Sequence, residues 1–231
     1  MVSELVKIKK NVLKLNLRLK TENLIIQNFG NASIRFEDQF IIKPSGINLN
    51  SATYEDMVKV EINRPNEFKN LKPSVDYPTH RVLYEKFPEI NSIIHTHSIY
   101  ATAFAQAECE IKNLGTTHSD FAYGSIPLSR KLLPEEISIN YEENTGLTFI
   151  ELIENNYESC FHIPGILAIK HGVFAWGKDD EDCFKNAEII EFLAKLNYIT
   201  YSVNSSTPEA DVNLQNKHFF RKHGPSAYYG Q

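Results

Sequence analysis

Three histidines and an aspartate have residue types and spacings that could do chemistry together. His95 and His97 lie two residues apart in SIIHTHS. Side chains on a β-strand repeat every two residues, so on a strand both imidazoles leave one face and can share a metal ion. His171 closes a second strand-like run, ILAIKHG, and a neighbouring strand end could supply it as a third ligand. Three imidazoles leave a coordination position open, as in a catalytic zinc-type centre, where a substrate oxygen can bind and be polarised. Taken alone, a bare HxH also fits structural histidines satisfied by hydrogen bonds. Asp76 precedes Pro78 at a helix start. Locally it reads as an N-cap, with a ligand or catalytic role as the alternative. His80 falls about one turn further into that helix and reads as a packing or surface residue.

A second group suits anions. Gly30-Asn31, Ser45-Gly46 and Ser74 read as tight turns in which backbone N–H groups can approach a phosphate, and Lys43 could add charge. Ordinary turn chemistry also accounts for each of them. The formal net charge of -5 gives no reason to expect a nucleic-acid partner, and it means that an anionic substrate needs such a local site.

Periodicity indicates the elements that must position these residues. Leu5, Ile8, Val12, Leu15 and Leu17 predict a helix over 4–20. NLIIQNFGNASIRFEDQFIIKPSG predicts strand, turn, strand, with Gly30 and Asn31 as turn formers. ATYEDMVKVEI predicts a short turn or helix and a strand. Pro78 suits the first turn of a helix that Phe87-Pro88 ends. NSIIHTHS predicts a strand, IYATAFAQAE a helix, GTTHSDFAYGSIP a polar loop and ENTGLTFIELIENN a helix. GILAIKHGVFAWG reads as one apolar strand, and DDEDCFKNAEIIEFLAKLNYITYSV as a long helix with an acidic first turn. The tail NKHFFRKHGPSAYYGQ is rich in His, Arg, Lys and Tyr.

The 231 residues, 42% hydrophobic and 23% charged, suit one α/β domain with strands and helices intermixed. No apolar run approaches the roughly 20 residues that span a bilayer, so no membrane partner is expected. The basic, amphipathic N-terminus reads as a packed helix rather than a targeting segment. Cys109, Cys160 and Cys183 are odd in number and form no CxxC pair, which points to a reducing cytoplasm without a disulfide framework.

GNASIR, FIIKPSGI, KPSVDYPTHRVLYEKFP, IIHTHSIYATAFAQA, GTTHSDFAYGSIP, HGVFAWGKDDEDCFKNA and KHFFRKHGPSAYYGQ follow one another in a familiar order. Over its whole length the chain resembles the L-ribulose-5-phosphate 4-epimerase family of the class II aldolase/epimerase, adducin-like superfamily. The resemblance implies a single domain over 1–231, with a central mixed or mainly antiparallel β-sheet flanked by helices. It implies one divalent metal per subunit, foremost Zn2+ with Mn2+ or Co2+ as alternatives, held by His95, His97, His171 and Asp76. The superfamily's aldolases carry glutamate at the Asp76 position, so aspartate there favours epimerisation and overturns the N-cap reading.

The resemblance further matches Gly30, Asn31, Lys43, Ser45, Gly46 and Ser74 to phosphate binding. Val75 stands where the family commonly has serine, and it offers only its backbone N–H. Asp120 and Tyr229 match acid/base residues, and His218 and Arg221 match tail residues near the site. The tail, 216–231, would reach a neighbouring subunit's site in a homotetramer. The implied substrate is a phosphorylated ketopentose, L-ribulose 5-phosphate, converted to D-xylulose 5-phosphate by retro-aldol cleavage and re-addition. L-arabinose and L-ascorbate breakdown both use enzymes of this type. The alternatives are a class II phospho-sugar aldolase, recognised by release of its aldehyde product, and a non-enzymatic adducin-like interaction module. Such modules lose the ligands that this chain keeps.

Overall fold

Alternate residues of the central strands sort into two separate cores. In the strands Ser92–Thr96 and Gly172–Gly177, Ile94, Val173 and Ala175 join one apolar cluster, while Ile93, Phe174 and Trp176 join another. Both faces of the sheet are therefore covered, which is why its strands read as near-continuous apolar runs. The computed structural model describes residues 3–64, 68, 70–223 and 227–228. In chain order these form α1 (Glu4–Thr21), β1 (Gly30–Phe36), β2 (Gln39–Ile42), β3 (Val58–Glu61), α2 (Tyr77–Lys86), β4 (Ser92–Thr96), α3 (Ile99–Gln106) and α4 (Thr116–Ser119). There follow α5 (Pro134–Ser138), α6 (Tyr141–Asn156), β5 (Gly165–Ala168), β6 (Gly172–Gly177), α7 (Asp180–Val203) and α8 (Val212–Lys222).

The strands form one six-stranded sheet in the order β3-β2-β1-β4-β6-β5, and every neighbouring pair is antiparallel. This is a single-domain α/β fold with helices on both faces. One face packs against α1, α3 and α7 through residues such as Val12, Ala101 and Ile190, and the other packs against α2 and α6 through Leu83 and Phe149. A fully buried side chain of this size contributes about 1.5–3 kcal/mol. Polar contacts fix the docking angles. The buried Asn16 amide donates to Ala32 O and accepts from Ala32 N, tying α1 to β1. Glu191 of α7 accepts from the N–H groups of Tyr100 and Ala101, which holds the first turn of α3 just beyond His97.

Several elements differ from the sequence-based expectation. Gly30 and Asn31 open β1, and the hairpin turn falls at Glu37, with φ 56°, and Asp38. Gly30 serves close approach: a Cβ there would lie 2.5 Å from Ile25 Cγ2 and 2.7 Å from His95 O. The run 165–177 is a hairpin of two strands, turning at 169–171 with Lys170 at φ 58°. Its turn lacks the Gly or Asn that usually marks a left-handed position, so it reads as continuous strand. The polar loop contains α4, and the first part of the basic tail is helical in α8, where the Asp211 carboxylate accepts from Asn213 N. Among the described residues the three cysteines are free, and no helix is long and apolar enough to cross a membrane.

Candidate metal centre

The register of β4 aims His95 at the face covered by α2 and α6. Its cross-strand neighbours are Asn31 of β1 and Phe174 of β6. The His95 ring stacks on Phe174, with centroids 4.2 Å apart and planes 18° apart. Its Nδ1–H donates to Val173 O at 3.0 Å, so Nε2 presents a lone pair. His97 lies one residue past the end of β4, and its Nε2 is 3.0 Å from His95 Nε2. His171 arrives from the β5–β6 turn, its ring 4.6 Å from that of His95 and 5.0 Å from that of His97. A Cβ on Gly172 would meet Thr96 O at 2.5 Å, so glycine lets this turn close on β4.

The candidate ligand atoms of the three histidines all lie within 4.8 Å of one another. Tetrahedral zinc with Zn–N bonds near 2.0–2.1 Å separates its nitrogens by about 3.3 Å. The 3.0 Å approach of two imidazole nitrogens, one with its tautomer fixed by a backbone carbonyl, fits such an ion. Burial holds all three histidines below their ordinary pKa, and His171 adds repulsion at His95 and His97, so neutral, ligating imidazoles are favoured. His95 is buried while His97 and His171 are partly exposed, so the group opens to solvent on one side.

Asp76 occupies the N-cap position of α2, but its side chain makes no capping bond. Oδ2 instead accepts from Asn31 Nδ2 at 2.7 Å. This buried carboxylate favours protonation of His97, His171 and Lys43, in opposition to the effect of burial. It stands beside the histidine group, outside the set whose ligand atoms lie within 4.8 Å. Asn31 Oδ1 is buried without a partner, so this amide retains an unused acceptor at the site.

The anion-binding candidates adjoin this carboxylate. Lys43 is 2% exposed, and its Nζ donates to Asn28 O at 3.2 Å. Burial lowers its pKa, and Asp76 opposes that effect. Ser45 N donates to Lys72 O and Ser74 N to Lys43 O, which pins the two turns side by side. Those N–H groups are therefore committed, and the hydroxyls are what the serines can offer an anion. Ser45, Gly46 and Val75 are exposed, whereas Ser74 is buried.

Asp120 lies elsewhere. Its carboxylate accepts from Arg221 Nε and Nη2 at 2.8 and 2.7 Å and from His218 Nδ1 at 3.1 Å. Partial burial pushes its pKa up, but the Arg221 and His218 bonds outweigh that and hold the carboxyl below its usual range. Nearby, Tyr123 N donates to His162 O, and Phe219 of α8 packs on the His162 ring. His162 precedes β5, at the end of the β5–β6 hairpin away from the His171 turn. About 10 Å of strand therefore separates the two ends. The structure brings His218 and Arg221 to Asp120 and takes all three away from the histidines of the same chain. Tyr229 lies outside the described residues.

Residues 10–198 match the sequence model of the Class II Aldolase and Adducin N-terminal domain. The chain belongs to that family. The class II aldolase fold recurs in solved structures of low sequence identity. An L-fuculose 1-phosphate aldolase is 19% identical with a TM-score of 0.79, covering 96% of this chain and 97% of that one. YgbL from Escherichia coli is 18% identical with a TM-score of 0.74, covering 93% and 99%. A sugar-phosphate aldolase from Thermotoga maritima is 22% identical with a TM-score of 0.62, covering 86% and 96%.

Two neighbours of this candidate site carried no signal in the sequence: Phe174 supports His95, and the Tyr141 hydroxyl lies 3.5 Å from His171 Nδ1. Both meet the site through long-range packing that local sequence does not encode. Of the two readings of His80, packing or surface, the structure shows packing, with the ring fully buried.

Proposed function

We propose that the chain is a metal-dependent 4-epimerase interconverting L-ribulose 5-phosphate and D-xylulose 5-phosphate. The observation that carries this reading is the open group of His95, His97 and His171 beside an aspartate held by Asn31. Zn2+ is the proposed ion, since three imidazoles and a carboxylate suit it; Mn2+ and Co2+ also accept such ligands. When bound, the metal supplies a Lewis acid that offsets negative charge developing on the ketose oxygens.

The residues of the chain do the remaining work. Lys43, Ser45, Gly46 and Ser74, with Gly30, Asn31 and the Val75 N–H, hold the phosphate end. A base takes the proton of the C4 hydroxyl, and the C3–C4 electron pair passes to the ketone-bearing fragment as an enediolate. The aldehyde fragment, tethered by its phosphate, rotates, and the enediolate adds to its other face while an acid reprotonates the new alkoxide. Asp120, His218 and Tyr229 are the proposed acid/base group. Arg221 keeps Asp120 ionised, which suits Asp120 to orienting His218 and suits the imidazole to moving the proton.

Asp120 lies at the far end of the β5–β6 hairpin from His171, so this group serves the histidines of a neighbouring copy. The expected assembly is a homotetramer with the tail, 216–231, crossing between subunits. Three free thiols suit a reducing cytoplasm. The experiment is to incubate metal-loaded protein with L-ribulose 5-phosphate. Formation of D-xylulose 5-phosphate without net release of glycolaldehyde phosphate is expected, and no conversion at all defeats the proposal. A phospho-sugar aldolase is the second reading. It is favoured by the placement of Asp120, because cleavage alone does not need acid/base groups on both faces; net aldehyde release identifies it.

A further inference from the structure

Helix α2 meets β1 through buried polar groups at matching intervals. Asp76, His80 and Tyr84 recur every four residues on or just before the helix, a rise of about 6 Å. Asn31, Ser33 and Arg35 recur every two residues on the strand, about 6.6 Å. Asn31 Nδ2 donates to Asp76. Ser33 Oγ lies 2.7 Å from His80 Nδ1 and 2.8 Å from the Tyr84 hydroxyl, which donates to Ser33 O at 3.1 Å. The Arg35 guanidinium lies over the Tyr84 ring, 4.8 Å from its centroid. Ser33, His80 and Tyr84 are at most 1% exposed.

We infer that His80 is a positioning residue for the metal centre: locked to Ser33 through Nδ1, it holds α2 in register with β1 and so fixes Asp76 against Asn31, opposite His95. An apolar pair would pack this interface without burying an imidazole, whereas a polar ladder specifies one register. The His80 ring also stacks on Phe40 and meets the edge of Phe174, whose ring stacks on His95. His80 Nε2 is buried and unpartnered, so Ser33 is the residue that orients the ring by hydrogen bonding.

This inference rests on the metal reading above, and Zn2+ affinity, measured on metal-free full-length protein by competition with a chromophoric chelator, tests it. His80→Phe keeps an aromatic ring and removes both nitrogens. It should weaken Zn2+ binding about 10–100-fold, as loss of a supporting residue does. His80→Asn retains a hydrogen-bonding group near the Nδ1 position and should recover most of the loss. In an Asp76→Asn background, His80→Phe should add little, because its effect passes through Asp76. Wild-type affinity in His80→Phe, an equal loss in the Asp76→Asn background, or His80→Asn no better than His80→Phe overturns the inference. If His80→Phe fails to fold, Ser33→Ala decides: undiminished affinity there overturns it. Wild-type protein that takes up no Zn2+ overturns the metal reading itself, an outcome distinct from equal binding by wild type and variants.

Discussion

The two ends of the β5–β6 hairpin hold chemically active groups in opposite ways. At the turn end, His95, His97 and His171 hang from a sheet whose backbone register sets their convergence, and burial keeps them neutral. At the other end, Asp120 is held by a helix, through the charges of Arg221 and, at 4.0 Å, Lys222, and through a hydrogen bond with His218 Nδ1. The first is a set of lone pairs waiting for a cation. The second is a carboxylate whose charge is already matched. In the proposed function a substrate uses both when two copies of the chain bring unlike ends together.

Breaking the turn end should have the largest effect. His97→Asn removes a ligand and should lower bound metal from about one per chain to under about a tenth, as a three-histidine site loses a third of its donors. Turnover should fall with it, measured by elemental analysis and an epimerase assay on one preparation. Retention of a tight metal would remove His97 from the centre.

Breaking the other end should be smaller and different in kind. Asp120→Asn should cost about 10²-fold or more in kcat/KM, the usual scale for acid/base groups, with metal content unchanged. Loss of metal in this variant would mean that the two ends are not separate. Mixing the two inactive variants sharpens the point. If each site draws on two chains, co-refolded His97→Asn and Asp120→Asn proteins form hybrid sites with both ends intact and regain about a quarter of the activity by random pairing. No recovery would place both ends' work within one chain.

The same contrast explains what could be read from the sequence. HxH on a strand is visible because period two is local, and the third histidine is visible because Gly172 follows it. Helix α2 is bounded by Pro78 and Pro88, and α1 and α7 show clear apolar spacing. Asp76 has an N-cap's position without an N-cap's bond; local sequence reads it as a cap, the family resemblance points away from that, and the contact with Asn31, forty-five residues away, shows what its carboxylate does instead. The turn at 169–171 was hidden because two-sided burial erases alternation in both strands. Helix α8 was hidden because a sequence rich in His, Arg and Lys resembles a solvated tail, and its partner, Asp120, lies about a hundred residues earlier.

Acid should separate the two ends with the smallest effect. In metal-free protein the buried histidines titrate below their ordinary value near 6.5. The unfolded chain then binds more protons than the folded one, so stability falls as pH drops below about 6.5. Asp120 is depressed too, but from a carboxylate value near 3.9, so its contribution is present above about pH 4 and is lost only as pH falls through its lower folded value. Arg221→Lys gives up one of two parallel bonds and should cost about 1 kcal/mol. Melting curves of metal-free wild-type and Arg221→Lys protein should therefore run a constant distance apart from pH 7 to about pH 4.5 and converge below about pH 4. Convergence near pH 6 instead would mean that Arg221 is coupled to the histidines, and the two ends would have to be treated as one site.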